Sequence, residues 1–292
     1  IIMSEHFLSV IIPLKDERES LAQLLERLHK VLSAQRANQA IRDYEVVLID
    51  DGSTDGTCQL LEEAVTRYPR LKVVFFRRNF GKSAAFAEGF KQVRGDLILT
   101  MDGDLQDDPD EIPRFISKID EGFDLVSGWK KERHDNFEKR AMSRLFNLLV
   151  QNIAGIKLHD FNCGFKVYRA WCVKNLALSG NLYRFLPVFV ARQGGAISEL
   201  VVRHHRREFG KSKFGVSRYF HGVLDLLTML LLSRFYGNPM YFFALGGLPI
   251  LGLGILIVSY LFAGHIYWLV AGDLTYKLTN ARPLLVISLG LC

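Results

Sequence analysis

The first half of the chain alternates between two patterns of hydrophobic and polar positions. One is a short apolar run of the kind that forms a buried strand. These runs lie at Phe7–Leu14, Tyr44–Ile49, Lys72–Phe76, Leu97–Met101 and Asp124–Ser127. The other places apolar residues at helical spacing, as Leu21, Leu24, Leu28 and Leu32 do after the first run. Strands that alternate with helices predict an α/β domain with a mostly parallel, doubly wound sheet.

The same two patterns continue beyond the first strands. Helices are expected near Thr57–Tyr68, at Ser83–Val93, after Pro109, and from Asn136 to about Ala154. Two further strands, Gly164–Tyr168 and Ile197–Val202, would close the domain. Residues 216–235 then place apolar side chains on one helical face, which is typical of a helix lying in a membrane interface. Packing of that face against the α/β domain explains the pattern equally well.

A long uncharged stretch follows, with no Asp, Glu, Lys or Arg between Arg234 and Asp273. Within it, Tyr241–Phe262 has about the 20 apolar residues that a helix needs to cross a bilayer. A buried core helix is the alternative, but such helices usually have a polar stripe. A second apolar run starts at Pro283, and we expect it to be the front half of a second, truncated span.

These patterns divide the chain into three parts. Residues 1–214 form the predicted α/β domain, residues 215–236 a juxtamembrane amphipathic helix, and residues 237–292 a transmembrane region. Hydrophobic residues make up 49% of the 292 positions, which excludes a disordered chain. Four cysteines are too few for a disulfide scaffold and lack metal-binding spacing, which favours a reduced, cytoplasmic domain.

The net charge of +6 is concentrated beside the predicted span. Between Arg203 and Arg218, six basic residues stand against one acidic residue, a net of +5. Basic residues that flank a span stay on the cytoplasmic side and attract anionic headgroups at about 1 kcal/mol each. Because these residues lie beside a span and the chain has no recognisable nucleic-acid-reading module, we expect no nucleic-acid partner.

Acidic residues follow three of the predicted strands. The turns read Lys15-Asp16-Glu17, Asp50-Asp51-Gly52-Ser53 and Asp102-Gly103-Asp104. Ligands of parallel sheets bind beyond the carboxyl ends of the strands, so one crevice would collect these carboxylates. Asp102 and Asp104, followed by Gln106, can share a hard divalent cation such as Mg²⁺, which prefers oxygen ligands.

Two other segments have competing interpretations. Asp50 and Asp51 can accept hydrogen bonds from a nucleobase or ribose, or they can form an Asx turn and a helix cap. The segment Asn79–Ser83 suggests a P-loop, but Phe76 stands where the Walker pattern requires glycine, which excludes that motif. Lys82, at a predicted helix start, can still face a diphosphate.

Six motifs occur in a characteristic order. They are PLKDE (Pro13–Glu17), DDGSTDGT (Asp50–Thr57), NFGKSAA (Asn79–Ala85), DGDLQDDP (Asp102–Pro109), DFNCGFKVYR (Asp160–Arg169) and RREFGKSKF (Arg206–Phe214). With the apolar region after them, they resemble the polyprenyl-phosphate glycosyltransferases of family 2. These are inverting enzymes of the GT-A fold, here of the GtrB type and similar to dolichyl-phosphate mannose synthase. The sequence departs at Leu14-Lys15-Asp16-Glu17, where the family usually has Tyr-Asn-Glu, so Leu14 is given no role.

The resemblance implies a role for each matching residue. The nucleotide-sugar donor would be held by Pro13, Glu17, Asp50, Asp51, Lys82 and Asp102. Mg²⁺ or Mn²⁺ would be ligated by Asp102, Asp104 and Gln106. The implied catalytic residues are Asp104, Asp160 and Arg140, and the acceptor-phosphate residues are Arg206, Arg207, Lys211 and Lys213. A phosphate monoester has a second pKa of about 6, so we expect Asp160 to orient the sugar or an arginine, with a general-base role second.

The expected reaction is inverting, metal-dependent transfer of a hexose to undecaprenyl phosphate at the cytoplasmic membrane face. Glucose from UDP-glucose is the favoured donor, with GDP-mannose and a UDP-aminoarabinose as alternatives. A processive polysaccharide synthase is disfavoured because no QxxRW segment occurs, and a non-enzymatic nucleotide-sugar sensor because the DGD and GKSKF motifs are intact. The resemblance further implies a multi-pass protein of the bacterial inner membrane that can form a homotetramer.

Overall fold

The computed structural model describes residues 6–131, 137–174, 182–205, 224–231 and 239–271, with side chains except at 137–145 and 268–271. The chain divides into two compact units, Ile1–Met229 and Leu230–Cys292. The sheet and its covering helices belong to the first unit.

Seven strands among the described residues form one sheet. They are β1 (Phe7–Leu14), β2 (Asp43–Asp50), β3 (Leu71–Phe75), β4 (Leu97–Thr100), β5 (Leu125–Trp129), β6 (Lys166–Arg169) and β7 (Ile197–Val201). Their order across the sheet is β3-β2-β1-β4-β6-β5-β7. All pairings are parallel except the two made by β6. The predicted α/β class with a mostly parallel sheet is confirmed.

Helices connect most of these strands. They are α1 (Arg18–Ala37), α2 (Thr57–Arg67), α3 (Lys82–Gln92), α4 (Ile112–Asp120), α5 (Phe137–Ala154) and α6 (Leu186–Arg192), with α7 (Pro239–Ala271) in the second unit. Short 3₁₀ turns lie at Pro109–Glu111, Ala170–Cys172 and Leu182–Phe185. The predicted strands all occur. β5 extends to Trp129, beyond its predicted end, because Trp129 pairs with Val201.

The central strands are buried on both faces because helices cover both sides of the sheet. Along β1, Val10 and Ile12 pack with residues of α1 and α4, whereas Ile11 packs with residues of α3. The contact with α3 is close, since a Cβ atom added to Gly89 would lie 2.5 Å from Ile11 Cγ2. This packing fixes α3, whose first residue is Lys82.

A buried carboxylate joins several segments at the beginning of β1 and the middle of β2. Glu45 is 2% exposed and accepts hydrogen bonds from Ser9 Oγ at 2.8 Å, Lys72 Nζ at 2.7 Å and the backbone N–H of Arg94 at 2.7 Å. Burial by itself would raise the pKa of Glu45, but these partners outweigh burial and lower the pKa below its ordinary value. Glu45 therefore stabilises the sheet in its ionised form.

The second unit is described by α7. Its segment Met240–Tyr267 has 28 residues and a mean hydropathy of 2.2, and by length and composition it can cross a membrane. At about 1.5 Å per residue such a helix exceeds the roughly 30 Å of hydrocarbon in a bilayer. Many of its apolar side chains are exposed, for example Leu245 at 75%. The predicted second span, from Pro283, lies outside the described residues.

Residues 224–231 are helical and lie within the predicted juxtamembrane helix. Leu224 and Leu227 are exposed, as a helix in a membrane interface requires. Met229 is buried, and Asp225 Oδ2 lies 4.0 Å from the guanidinium of Arg184 in the first unit. Asp225 and Met229, which belong to the first unit themselves, therefore lie on an inner face of this segment, whereas Leu224 and Leu227 are exposed. The three-part domain plan stays a prediction.

Replacing Glu45 by Gln should destabilise the protein by about 1–3 kcal/mol at neutral pH, because Lys72 and Arg94 lose a charged partner. The folded-state pKa of Glu45 is lowered, so this stabilisation is complete above its unfolded value of about 4.3 and is lost as pH falls through the lowered pKa. Thermal unfolding between pH 7 and pH 3 measures the difference. Glu62→Gln, at an exposed position of α2, is the control. A difference that does not shrink in acid would contradict the assignment.

Candidate active site

The three acidic turns meet at one edge of the sheet. β1 lies between β2 and β4, and Leu14 at the end of β1 is paired with Asp50 at the end of β2. Because the three strands are parallel, the segments that follow them emerge on the same side. The turns that follow β1, β2 and β4 therefore lie together at the carboxyl ends of the strands.

The turns after β1 and β2 are bound to each other. The backbone N–H of Asp16 donates to Ser53 Oγ at 2.8 Å, and the N–H of Thr54 donates to Asp16 Oδ1 at 2.8 Å. The ammonium of Lys15 donates to the carbonyl of Gly52. These bonds bring Pro13 and Glu17 of the first motif beside the DDGS turn, as the nucleoside-binding prediction requires.

Asp50 and Asp51 have different surroundings. Asp51 accepts hydrogen bonds from the backbone N–H groups of Phe80 at 2.7 Å and Gly81 at 3.0 Å, while burial raises its pKa. Asp50 is fully buried, and its Oδ2 accepts from the N–H of Ser53 at 3.0 Å. Asp50 Oδ1 has no hydrogen-bond partner within the described chain. Asp51 thus fixes the loop before Lys82, whereas Asp50 forms the Asx turn through Oδ2 and has an unpaired Oδ1 among the described residues.

Lys82 and Asp102 form an ion pair between α3 and the turn after β4. Burial would raise the pKa of Asp102, but the cations of Lys82 and Lys130 outweigh burial and lower it to about 2. The pKa of Lys82 is raised in turn, because Asp102 and neighbouring anions outweigh its burial. The Lys82 ammonium also lies 5.2 Å from the centre of the Tyr183 ring. The predicted phosphate-binding lysine and the predicted metal ligand are therefore in direct contact.

The loop that contains Asp104 is held by its own backbone and by the segment after β7. The N–H of Gln106 donates to Asp104 Oδ1 at 3.3 Å, and Leu105 has a φ of 59°. Gln106 Nε2 donates to the carbonyl of His205 at 3.3 Å. The three predicted metal-binding positions, Asp102, Asp104 and Gln106, are thus in one ordered turn.

Two residues of this region were not singled out from the sequence. Asp107 Oδ2 accepts from the N–H of Asp102 at 3.1 Å, and Lys130 Nζ lies 2.8 Å from Asp107 Oδ1. The anion of Asp107 outweighs the burial of Lys130 and raises its pKa. Asp107 lies inside the DGDLQDDP motif and could have been noticed there. Lys130 belongs to no motif, so its role depends on the pairing of β5 in the sheet.

The donor set fits a metal that takes part of its coordination from a substrate. Throughout the ranges that the structure describes, no three His, Cys, Asp or Glu side chains are placed to enclose an ion. Mg²⁺ is commonly bound by one or two carboxylates together with phosphate oxygens, and Asp102 and Asp104 offer that number. The residues are therefore compatible with a metal bound together with a diphosphate.

Of the remaining predicted residues, the side chain of Asp160 is described and those of the others are not. Asp160 is buried, and its Oδ1 accepts from the backbone N–H of Asn162 at 3.0 Å. Arg140 lies in the first half of α5, at residues 137–145, where only the backbone is described. The four acceptor-phosphate residues, Arg206, Arg207, Lys211 and Lys213, lie outside the described residues.

The sequence model of glycosyl transferase family 2 matches residues 9–176, more than half of the chain. The chain belongs to glycosyl transferase family 2. It is 38% identical to a dodecaprenyl-phosphate galacturonate synthase of Rhizobium johnstonii, over 97% of this chain and 82% of that protein. It is 34% identical to an undecaprenyl-phosphate 4-deoxy-4-formamido-L-arabinose transferase of Pseudomonas fluorescens, over 87% of this chain and 72% of that protein. The predicted enzyme class and the resemblance to polyprenyl-phosphate glycosyltransferases are confirmed.

The fold of this glycosyltransferase also matches solved structures. One is glucosyl-3-phosphoglycerate synthase from Mycobacterium tuberculosis in complex with Mn²⁺, UDP-glucose and glycerol 3-phosphate. The two superimpose with a TM-score of 0.56 at 19% identity, over 78% of this chain and 80% of that chain. At this identity the likeness concerns the fold, and the predicted GT-A fold is confirmed.

Gly52→Ala should weaken the binding of UDP and destabilise the protein. Gly52 has a φ of 68°, and an added Cβ would lie 2.6 Å from the carbonyl carbon of Arg78. The left-handed backbone costs about 1–2 kcal/mol for alanine, and displacement of the Arg78 backbone adds to that cost. Thermal unfolding and UDP titration measure the two effects.

Gly122→Ala is the matched control, since Gly122 has a φ of 104° with nothing within 4 Å of an added Cβ. It should show the backbone cost alone and leave UDP affinity unchanged. Equal losses of UDP affinity in the two variants would contradict the role of the DDGS turn.

Proposed function

We propose that this glycosyltransferase moves a sugar from a nucleoside diphosphate to the phosphate of a polyprenyl phosphate. The observation that supports this most directly is the meeting of two features at one sheet edge. A buried acceptor, Asp50 Oδ1, lacks a partner among the described residues, and the Lys82–Asp102 pair lies at the carboxyl end of the same sheet. The first suits a nucleoside and the second suits its diphosphate.

The nucleoside is proposed to bind between the turns after β1 and β2. Asp50 Oδ1 would accept a hydrogen bond from an N–H group of the base, which would satisfy its lone pairs. Pro13 and Glu17 would line the other side of the base. Asp51 would act through the loop that it binds, because its oxygens already accept from Phe80 and Gly81.

The diphosphate is proposed to lie beside Lys82 and the DGD turn. Asp102, Asp104 and Gln106 would hold Mg²⁺ or Mn²⁺, which would offset the charge that develops on the leaving diphosphate. Mn²⁺ is present in the solved structure of glucosyl-3-phosphoglycerate synthase. Lys82 adds a second positive charge on a rigid helix start, and its raised pKa keeps it protonated at neutral pH.

In the proposed reaction, an oxygen of the lipid phosphate attacks the anomeric carbon of the sugar. The bond between that carbon and the diphosphate breaks, and the nucleoside diphosphate leaves with the electron pair, so that the configuration is inverted. The phosphate is already charged and needs no general base. Asp160 would orient the sugar or an arginine. Arg140 would lie near the donor, and Arg206, Arg207, Lys211 and Lys213 would bind the acceptor phosphate.

The acceptor class and the membrane site are supported by the relatives and by α7. Both relatives carry a polyprenyl phosphate in their names. The apolar segment Met240–Tyr267 would anchor the enzyme in a bacterial inner membrane with the α/β unit in the cytoplasm. A second span from Pro283 and assembly into a tetramer remain part of the proposal.

The donor sugar is tested by comparison of four compounds. Purified full-length chain with undecaprenyl phosphate is given UDP-glucose, UDP-galacturonate, UDP-4-deoxy-4-formamido-L-arabinose or GDP-mannose. The UDP-glucose expectation comes from the motifs, and the second and third compounds from the relatives. Mass spectrometry of the lipid fraction and release of UDP or GDP are recorded. One UDP sugar should give a lipid-linked monosaccharide.

Other outcomes of this comparison identify the rival functions. A polymeric product would indicate a polysaccharide synthase. Binding of a donor without release of nucleoside diphosphate would indicate a sensor. A product from GDP-mannose alone would contradict a uridine nucleotide as donor.

Asp104→Asn should reduce lipid glycosylation by about 100-fold or more, because one carboxylate oxygen ligand and its charge are lost. Insertion into membranes should be unchanged, as measured by recovery in the washed membrane fraction. Asp110→Asn is the control, since Asp110 is 65% exposed a few residues further on. Undiminished turnover by Asp104→Asn would exclude the metal-binding role.

Reversing the charge at Lys211 and Lys213 to Glu should weaken use of the acceptor far more than binding of the donor. The basic segment lies in sequence between the α/β domain and the span, where a lipid phosphate arrives. The apparent KM for undecaprenyl phosphate should rise about tenfold or more while UDP affinity is kept. Lys30→Glu, at an exposed position of α1, controls for net charge. Equal loss of both properties would contradict the assignment.

A further inference from the structure

Lys166, the first residue of β6, is a buried cation with an unusual set of partners. It is 1% exposed, and its ammonium donates to the carbonyls of Phe161, at 3.3 Å, and Cys163. Lys82 and Lys130, two partly buried lysines near the site, are each paired with an aspartate. In the described part of the chain, the hydrogen bonds of Lys166 go to these two backbone carbonyls; burial lowers the pKa of Lys166, and the nearby anion of Asp160 offsets only part of this effect. A charge is costly to bury, so this arrangement calls for an explanation.

The two carbonyls belong to the loop that leads from Asp160 to Gly164. The loop is held at several points, because Thr100 Oγ1 donates to the carbonyl of Gly164 at 2.8 Å and Asn147 Nδ2 donates to the carbonyl of His159 at 2.7 Å. Lys166 donates to the carbonyls of Phe161 and Cys163 in the middle of the loop. The position of the loop therefore depends on the ammonium group of a residue in β6.

One end of this loop contacts the candidate active site, and the other end contains Asp160, whose role in catalysis is part of the proposed function. Asp160 stands at its beginning. At its end, a Cβ added to Gly164 would lie 2.5 Å from Asp102 Oδ1 and 3.0 Å from Asp102 Cγ. Backbone and carboxylate are thus in close contact, so a shift of the loop would move Asp102 away from its position beside Lys82. One loop sets the positions of two carboxylates.

Packing alone does not require an ammonium at this position. In the sheet, Lys166 is paired with Thr100 on β4 and Ser127 on β5. The next row on the same face consists of Ile98, Tyr168 and Leu125, which pack against the phenylalanines of α3. An unbranched apolar side chain in place of Lys166 would simply extend this apolar layer. The hydrogen bonds that the ammonium donates to the loop therefore explain why a lysine stands at this position.

We propose that Lys166 is a positioning residue for sugar transfer, which fixes the Phe161 and Cys163 carbonyls so that Asp160 and Asp102 keep their working positions. It does so without contacting the substrate. The inference rests on the proposed function for the reaction and adds to it a residue outside the donor, metal and acceptor sets.

The test compares Lys166→Met, which keeps the unbranched stem, with Lys166→Arg, which keeps a cationic donor. Full-length chains are assayed with undecaprenyl phosphate and the UDP sugar that the unmodified enzyme uses. Lys166→Met should lower kcat about 30-fold through misplacement of the reacting groups, with the KM for undecaprenyl phosphate within about twofold. Lys166→Arg should recover much of the lost kcat. Val167→Ala, a buried change on the opposite face of β6, controls for general loss of stability.

A second measurement follows the loop without reference to activity. Cys163 lies in the loop at 1% exposure, and burial raises the pKa of its thiol to about 12, so it should react slowly with a thiol reagent. Lys166→Met should speed labelling of Cys163 about tenfold or more, as mapped by mass spectrometry of peptides. Cys172, which is fully buried outside the loop, should label at its original rate.

Three results would overturn the proposal. One is a kcat of Lys166→Met within twofold of the unmodified enzyme. Another is unchanged labelling of Cys163, which would show that the loop does not depend on the ammonium. The third is faster labelling of Cys163 and Cys172 together with a loss of kcat that Val167→Ala reproduces. Failure of the unmodified chain to use any donor would instead reject the proposed function, and labelling of Cys163 would still decide whether Lys166 holds the loop.

Discussion

The site depends on the neutralisation of carboxylates that a parallel sheet collects at one edge. Asp102 and Asp107 are brought together after β4, and each would repel the other without a nearby cation. Lys82 from α3 and Lys130 from the end of β5 supply those cations. Since the two lysines come from opposite sides of β4, the whole sheet must be assembled before the acidic turn is stable. Neutralisation of the carboxylates at the site therefore depends on the order of the strands in the sheet.

The apolar core also fixes the position of Lys82. The close approach of Gly89 to Ile11 sets the height of α3 on β1, and Lys82 begins that helix. Asp51 then fixes the backbone immediately before Lys82 through Phe80 and Gly81. In the proposed function Lys82 exchanges a protein carboxylate for a diphosphate, and rigid placement beforehand reduces the rotamer freedom that its long side chain would lose on binding. Packing and hydrogen bonding both reduce that loss here.

The sequence pattern predicted the parts of this arrangement that are local. Strands β1 to β5 are short apolar runs, and the acidic turns stand directly after three of them, so both could be read from neighbouring residues. Lys166 binds carbonyls only three and five residues away, but the motif that contains it did not indicate that its side chain is buried. Lys130 could not be assigned from neighbouring residues, because its partner Asp107 follows β4, and β6 lies between β4 and β5 in the sheet. Long-range pairing of this kind leaves no periodic signal in the chain.

The middle residue of the DGD turn has a neighbour that links two motifs. A Cβ added to Gly103 would lie 2.3 Å from Cδ2 of Leu14, the last residue of β1. Leu14 is 1% exposed and so fills the space directly below the turn. The volumes at positions 14 and 103 are therefore coupled, and among homologous chains the two sites should covary. A chain with a smaller residue at the end of β1 would be free to lose the glycine, whereas this chain is not.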